Sequence, residues 1–465
     1  MFSTTDTIVA IATPAGRGGI GVVRLSGPDA HVLAQRLTTH GRPLEPRFAT
    51  VTLVRWSVEL DSRSSQTGEA IDQIVATYFP GPASYTGDDV VELSAHGSPI
   101  VLRHIVEAAI AEGARLAEPG EFTLRAYLNG RIDLMQAEAV ADLVDSVTPL
   151  QARTAFDQLQ GTLTRAIGEI DEALFDLIAR LEASIDFPEE GYHFIEPGEL
   201  AGAIDDMARR TAALIKNARR GRLIREGLHV AIVGRPNVGK SSLFNALAGA
   251  SRAIVTDIPG TTRDLVTETV DFDGLAATLV DTAGLRPVGD EVEAEGVSRT
   301  VGAARVADLV FLVVDRSIPL TGEELEIITS RTLDCWLDGS TAQVVPVANK
   351  SDLDPAWQSD EVVNVSAVSG AGLSELRACA ARALGLEPTR DRPEITNLRH
   401  LVLVERAHVA LLRARSAACT DGQFLPEEFV LADLGDARLA FEEVTGRRAP
   451  DDVIARIFSR FCIGK

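Results

Sequence analysis

Residues Gly234-Arg235-Pro236-Asn237-Val238-Gly239-Lys240-Ser241 follow the short apolar run His229-Val230-Ala231-Ile232-Val233. This strand-then-glycine order predicts a loop that cradles phosphate. Its two glycines let successive backbone N–H groups turn inward on a β-phosphate, and the following helix adds the positive end of its dipole. Lys240 is placed to reach the β/γ oxygens and Ser241 to ligate Mg²⁺, with Val238, Gly239 and Ser242 completing the cradle. The expected ligand is a nucleoside triphosphate.

Residues farther along decide the base. Asn349-Lys350-Ser351-Asp352 follows Val344-Val345-Pro346-Val347-Ala348 and precedes Ser366-Ala367. A carboxylate at Asp352 can accept two hydrogen bonds from guanine N1 and N2, a donor pair that adenine lacks, so GTP is favoured. Asp281-Thr282-Ala283-Gly284 follows another strand-like run, Ala277-Thr278-Leu279-Val280, so Asp281 can approach Mg²⁺ while the Gly284 N–H senses the γ-phosphate. Between the two lies Gly260-Thr261-Thr262-Arg263-Asp264, where Thr262 is suited to closing over Mg²⁺; by itself the threonine pair reads equally as a plain turn. Leu285 stands where Ras-like enzymes place a water-orienting glutamine, so hydrolysis needs another group. The acidic run Asp290-Glu291-Val292-Glu293-Ala294-Glu295 offers candidates, each of them on composition alone an ordinary solvated carboxylate.

The elements that must position these residues come in three textures. With 465 residues, 45% of them apolar, the chain exceeds what one core usually serves, and about three domains are expected. Residues 1–118 mix β-rich runs with glycine turns, as in a small α/β domain. Residues 119–221 are helical; from Phe156 the series Leu159, Leu163, Ile167, Ile170, Leu174, Leu177, Leu181 and Ile185 reads as one long amphipathic helix ending at Asp186-Phe187-Pro188. Residues 222–386 alternate strand-length and helical runs around the phosphate loop, and 387–465 return to helix, with Leu398, Leu401, Leu403, Val409 and Leu412 and then Phe429 through Ala440. The expected architecture combines α/β and all-α parts, with two helical blocks packing as one discontinuous domain around an insert.

Charge and cysteines narrow the function classes. The formal net charge of −22 disfavours broad binding to a phosphate backbone. The one basic stretch, Arg209 to Arg225, reads either as a solvated helix end or as a local phosphate contact. Cys335, Cys379, Cys419 and Cys462 form no C-x-x-C pair, which argues for reduced thiols rather than disulfides or zinc. The N-terminal segment lacks a basic n-region, and its apolar run to Ala12 is too short for a span, so a soluble cytoplasmic protein with no membrane contact is expected.

With these motifs placed, the chain resembles the MnmE (TrmE) family of tRNA-modification GTPases over essentially its whole length. The resemblance rests on Asp6-Thr7-Ile8-Val9-Ala10, Thr13-Pro14-Ala15-Gly16-Arg17-Gly18-Gly19, Ser84-Tyr85-Thr86-Gly87-Asp88-Asp89, Pro119-Gly120-Glu121-Phe122-Thr123, Asp133-Leu134-Met135-Gln136-Ala137-Glu138-Ala139 and the terminal Phe461-Cys462-Ile463-Gly464-Lys465. It implies an N-terminal α/β folate-binding domain that dimerises, a discontinuous helical domain and an inserted Ras-like P-loop G domain. It also implies a homodimer acting with MnmG, an FAD- and NADH-using partner, in a heterotetramer or larger complex. Together they would add a carboxymethylaminomethyl or aminomethyl group to carbon 5 of the wobble uridine of certain tRNAs. A 5-formyl- or methylene-tetrahydrofolate would supply the carbon, and FAD would enter only through the partner. GTP hydrolysis would drive G-domain association and a conformational change.

Carried over by position, the resemblance implies a K⁺ ion held by Asn237, Thr261 and the backbone of Thr256 and Ile258, with Asp257, Pro259 and Gly260 completing the nucleotide contacts. Glu293 matches the glutamate that orients the attacking water. Folate contacts fall on Arg24, Glu92, Arg131 and Lys465; Arg131 stands where many relatives have lysine, and Ser98 replaces a common glycine. Cys462 reads either as a thiol near the folate or as an inert packed cysteine. Two other functions fit parts of the pattern: a regulatory GTPase of ribosome assembly, and a folate enzyme that uses GTP only as a structural switch.

Overall fold

The computed structural model describes residues 5–55, 69–186, 196–250, 266–281, 307–332, 342–385, 395–418 and 427–464. They gather into two compact units, one joining residues up to 141 with those from 442 onward, the other holding 142–441.

The first unit is built on a mixed six-stranded sheet. Its strands are β1 (Ile8–Ile11), β2 (Ile20–Ser26), β3 (Thr50–Arg55), β4 (Ala70–Phe79), β5 (Val90–His96) and β6 (Arg115–Leu116), in the order β3-β4-β5-β2-β1-β6. Strand alternation sorts the side chains. Val9, Val23, Leu25, Val91 and Leu93 enter a core shared with α1 (Ala30–Leu37) and α2 (Pro99–Ala111), which leaves Arg24 and Glu92 on the opposite face. On that face Ile8 and Ala10 pack with Ala117 and with Phe122 of α3 (Glu121–Leu128). The helix Asp451–Phe458 contributes Phe458, and the tail Phe461, to a core with Leu124 and Leu134. Ile463 then bridges Pro119, and Gly464 adopts φ 101° so close to β1 that a Cβ would meet the Ile11 carbonyl oxygen at 2.2 Å.

The second unit carries β7 (Leu228–Val233), β8 (Val266–Phe272), β9 (Leu275–Asp281), β10 (Leu309–Asp315), β11 (Gln343–Asn349) and β12 (Val363–Asn364), in the order β12-β11-β10-β7-β9-β8. All neighbours are parallel except β8, which runs antiparallel to β9. Parallel strands covered on both faces read as unbroken apolar runs, and Leu309 through Val314 are fully buried. From β7 the chain reaches β9 on one side and β10 on the other, and the carboxyl ends of strands at such a reversal are where open α/β sheets take ligands. The phosphate loop sits there.

One helical reading needs correction, and a second helix, formed where expected, buries a different face from its large apolar residues. The stripe beginning at Phe156 belongs to two helices after α4 (Leu134–Asp145): α5 (Pro149–Leu159) and α6 (Thr162–Asp186). Gly161, at φ 75°, breaks the run, and Phe156 is about half exposed while Leu163 through Leu181 form the buried stripe of α6. In the helix Leu398–Ala418, the large residues Leu398, Val409 and Leu412 are exposed; the buried face is Val404, Ala407, Ala410, Leu411, Ala414 and Ala417. Small side chains there let this helix lie close against α7 (Pro197–Lys216), a packing that a search for large apolar residues misses. The basic stretch runs from α7 into α8 (Ala218–Glu226), and four of its arginines pair with the chain's own carboxylates: Arg209 with Asp205 and Asp206, Arg210 with Glu169, Arg222 with Glu226 and Arg225 with Asp142.

Candidate functional site

The phosphate loop leaves β7 in backbone conformations that its sequence anticipates. Gly234 has φ 149° and Gly239 φ 97°; a Cβ on Gly234 would meet the Val313 carbonyl oxygen at 2.2 Å, and one on Gly239 the Asn349 Nδ2 at 2.3 Å. Asn237 takes φ 67°, a left-handed conformation that asparagine tolerates better than most residues, and its side chain is exposed. Lys240 Nζ donates to the carbonyl oxygens of Gly234 and Arg235, both at 2.8 Å, so the ammonium is already drawn over the loop. Val238 is buried, anchoring the loop in the core, whereas Ser241 and Ser242 lie exposed in the first turn of α9 (Lys240–Ala250). Exposed hydroxyls at a helix N-terminus suit phosphate and Mg²⁺.

The segment expected to read the base is tied to this loop. Asn349 closes β11, is 2% exposed, and donates from Nδ2 to the Val238 carbonyl oxygen at 3.0 Å while its Oδ1 accepts the Ala367 N–H at 3.2 Å. One buried amide therefore joins the phosphate loop to the segment behind β12. Asp352 is exposed, and its Oδ1 accepts from the fully buried Ser366 hydroxyl at 2.6 Å, which orients the carboxylate and leaves Oδ2 outside that bond. Lys350 stands between them at φ 63°.

Sequence reasoning missed Asp315, which closes β10 directly across from Asn349. Its Oδ2 accepts from Lys350 Nζ at 2.5 Å, and its Oδ1 accepts from the Ser317 backbone N–H at 2.9 Å and hydroxyl at 2.6 Å. Burial pushes the Asp315 carboxyl up, but the bonds from Lys350 and Ser317 outweigh it and hold the group below the usual carboxylate range. The available signal was an aspartate ending a continuous apolar run.

On the first unit's sheet, Arg24 and Glu92 are cross-strand partners. Arg24 Nε and Nη2 donate to Glu92 Oε1 at 2.9 and 2.8 Å, and the guanidinium lies over the rings of Tyr85 and Phe122 at 5.5 and 5.7 Å. Tyr85 and Thr123 hydroxyls are 2.9 Å apart. Arg131 is exposed beside Gly87, where a Cβ would come within 3.3 Å of its Cγ.

An ionic cluster that sequence reasoning also missed, with Arg125 and Glu121 buried and Arg115 and Asp6 partly exposed, braces α3 under this face. Arg125, fully buried, donates to Asp6 Oδ1 at 2.7 Å and Glu121 Oε1 at 3.0 Å; Arg115 donates to Asp6 Oδ2 and Glu121 Oε1, both at 2.6 Å. The Arg115 bond holds the Asp6 carboxyl low, and for Glu121 the arginines and the Glu118 N–H overcome the upward push of burial. Burial instead raises Asp88, which faces Arg125 at 3.8 Å. The i,i+4 spacing of Glu121 and Arg125 was the visible clue.

Asp281 closes β9 across from Ile232 of β7, so its backbone reaches the same strand ends. Thr256, Asp257, Ile258, Pro259, Gly260, Thr261, Thr262, Thr282, Ala283, Gly284, Leu285, Glu293 and Lys465 lie outside the described residues, as do Cys335 and Cys419. Cys379 and Cys462 are free thiols, Cys462 exposed. Among the described residues no group of His, Cys, Asp and Glu is arranged to hold a metal, and no helix is long and apolar enough to cross a membrane.

Comparison with known proteins extends this geometry. Residues 7–131 match the model of the GTP-binding protein TrmE N-terminus, and 134–462 that of the MnmE helical domain, a span enclosing the nucleotide sheet. A tRNA modification GTPase MnmE from Koribacter versatilis is 46% identical over 99% of both chains, and that of Symbiobacterium thermophilum 44% identical over 99% of both. Among solved structures, the G domain of the T. maritima FeoB iron transporter is 26% identical, covering 34% of this chain and 98% of that one at a TM-score of 0.23. A variant of Aquifex aeolicus Era bound to GDP and AlF4⁻ is 27% identical, covering 40% of this chain and 67% of that one at a TM-score of 0.26. Matched by both family models and by full-length relatives more than 40% identical, the chain belongs to the MnmE family of tRNA modification GTPases.

Proposed function

We propose that this chain is a K⁺-activated, Mg²⁺-dependent GTPase that acts as a cytoplasmic homodimer with MnmG on the wobble uridine of tRNA. The observation that carries the reading is Asn349, which links the phosphate loop at Val238 to the segment where Ser366 orients the exposed Asp352 carboxylate. Guanine N1 and N2 can meet that carboxylate, and a base without the donor pair leaves it unpaired. Lys240 exchanges its bonds to Gly234 and Arg235 for phosphate oxygens, while loop N–H groups and the start of α9 receive the rest of the charge. Ser241 with Thr262 would hold Mg²⁺, and Asp281 would approach it.

The exposed amide of Asn237 is a hard oxygen ligand on the loop's rim, which suits K⁺; Thr261 and the backbone of Thr256 and Ile258 would complete that set. A monovalent cation there supplies positive charge where negative charge develops between the β- and γ-phosphates. Glu293 takes the water-orienting role that Leu285 cannot fill. Folate binding falls on Arg24 and Glu92, flanked by the Tyr85 ring, with Arg131 and Lys465; a pterin's amide-like donor edge suits Glu92, and the cations suit the ligand's anionic end. The domains proposed are 1–118, the helical parts 119–221 and 387–465, and the G domain 222–386.

The test is mass spectrometry of wobble uridines in cells lacking the chain. The carbon-5 modification is expected to vanish, to return with the wild-type chain and to stay low with Asp352→Asn. Unchanged uridines in the deletion strain would contradict the proposal.

A further inference from the structure

We infer that Asp315, outside every nucleotide-binding motif in the sequence, is a positioning residue for the purine: it pins the Lys350 ammonium so that the lysine's methylene stem stands as a preset apolar ledge beside Asp352. The inference rests on the guanine reading above. Asp315 is only 7% exposed and cannot swing freely. Ser317 holds its Oδ1 twice, Trp357 Nε1 donates to its backbone carbonyl oxygen at 3.2 Å, and the next residue, Arg316, donates its N–H to the Asn349 carbonyl oxygen at 3.0 Å. The carboxylate is thus fixed relative to the base-reading segment.

Lys350 meets it at 2.5 Å from a left-handed backbone, φ 63°, which sets the direction in which the side chain leaves the loop. An unpinned lysine would surrender its rotamer freedom when a purine arrived, and its ammonium would have to be desolvated without a partner. Pinned, it has lost that freedom beforehand and keeps its counter-charge. Against the upward push of burial, the same bond, together with the two from Ser317, holds the Asp315 carboxyl below its usual range.

Binding of fluorescent GDP to the full chain tests this in two lysine backgrounds. Asp315→Asn is expected to weaken GDP roughly fivefold to tenfold when Lys350 is present, the scale of ordering one long side chain. In a Lys350→Ala background the same change should cost less than about twofold, because the two residues act as one unit. Equal losses in both backgrounds would overturn the inference while leaving guanine recognition intact. A wild-type chain that bound ADP as well as GDP would instead remove the guanine reading beneath it. Should Asp315→Asn fail to fold, acetylation of the nucleotide-free wild-type chain decides: Lys350 is expected to react several-fold more slowly than the exposed Lys216. Equal reaction rates would overturn the pinning.

Discussion

In the nucleotide cradle, Lys240 bonds backbone carbonyl groups five and six residues away, and Asn349 ties the phosphate loop down through main-chain atoms. On the N-terminal sheet, Arg24 and Glu92 come from positions 68 residues apart and hold each other across two strands, with Arg125 and its carboxylates bracing the helix beneath. The first region is limited by space around the backbone, the second by charge compensation. Substitutions should therefore fail for different reasons: an added methyl group breaks the cradle, whereas a lost charge breaks the sheet face.

The largest effect is expected at Arg125. Arg125→Met removes a fully buried guanidinium from Asp6 and Glu121 and should cost about 3–5 kcal/mol of stability in the first unit, read as a lowered melting transition. A change within about 0.5 kcal/mol would mean that charge compensation does not govern that region.

Gly239→Ala probes the opposite limit. Its Cβ would press Asn349 Nδ2 at 2.3 Å from a backbone at φ 97°, so GDP affinity should fall roughly 30-fold or more, from strain plus a lost buried hydrogen bond. Titration with fluorescent GDP measures it, and near-normal binding would break the contrast.

A smaller effect sharpens the charge argument through pH. Asp6 and Glu121 are held below their ordinary values of 3.8 and 4.5, so they contribute stability that is present above that range and lost as pH falls through their folded values. Asp88 is raised, so its contribution runs the other way, present at low pH and lost as pH rises through its folded value. The first unit's melting temperature should decline below about pH 4.5, and Asp88→Asn should make that decline steeper, because it removes the one contribution that grows as pH falls. A flat profile down to pH 3 would contradict the cluster's role.

Legibility in the sequence followed the same division. The backbone paths of residues 234–241 and 349–352 were readable because glycines and short-range spacing encode them, and the strand runs before them are buried as expected. Asp315 was hidden because its partner Lys350 lies 35 residues away on a neighbouring strand end, and only parallel register brings them together. Arg24 and Glu92 were singled out only by resemblance, and their pairing was not anticipated, since no local pattern reveals a cross-strand register. Helix boundaries failed at Gly161, where one positive φ splits a stripe whose period continues on both sides, and the alanine face of the helix Leu398–Ala418 carried too little bulk to be seen.

The most direct test of the central claim is GTP hydrolysis by the full chain in KCl and in NaCl at equal ionic strength, with ATP as the control nucleotide. Hydrolysis of GTP alone, at least roughly tenfold faster in potassium, is the predicted result, given the charge that a cation beside Asn237 would neutralise. Equal rates in the two salts, or equal turnover of ATP, would contradict it.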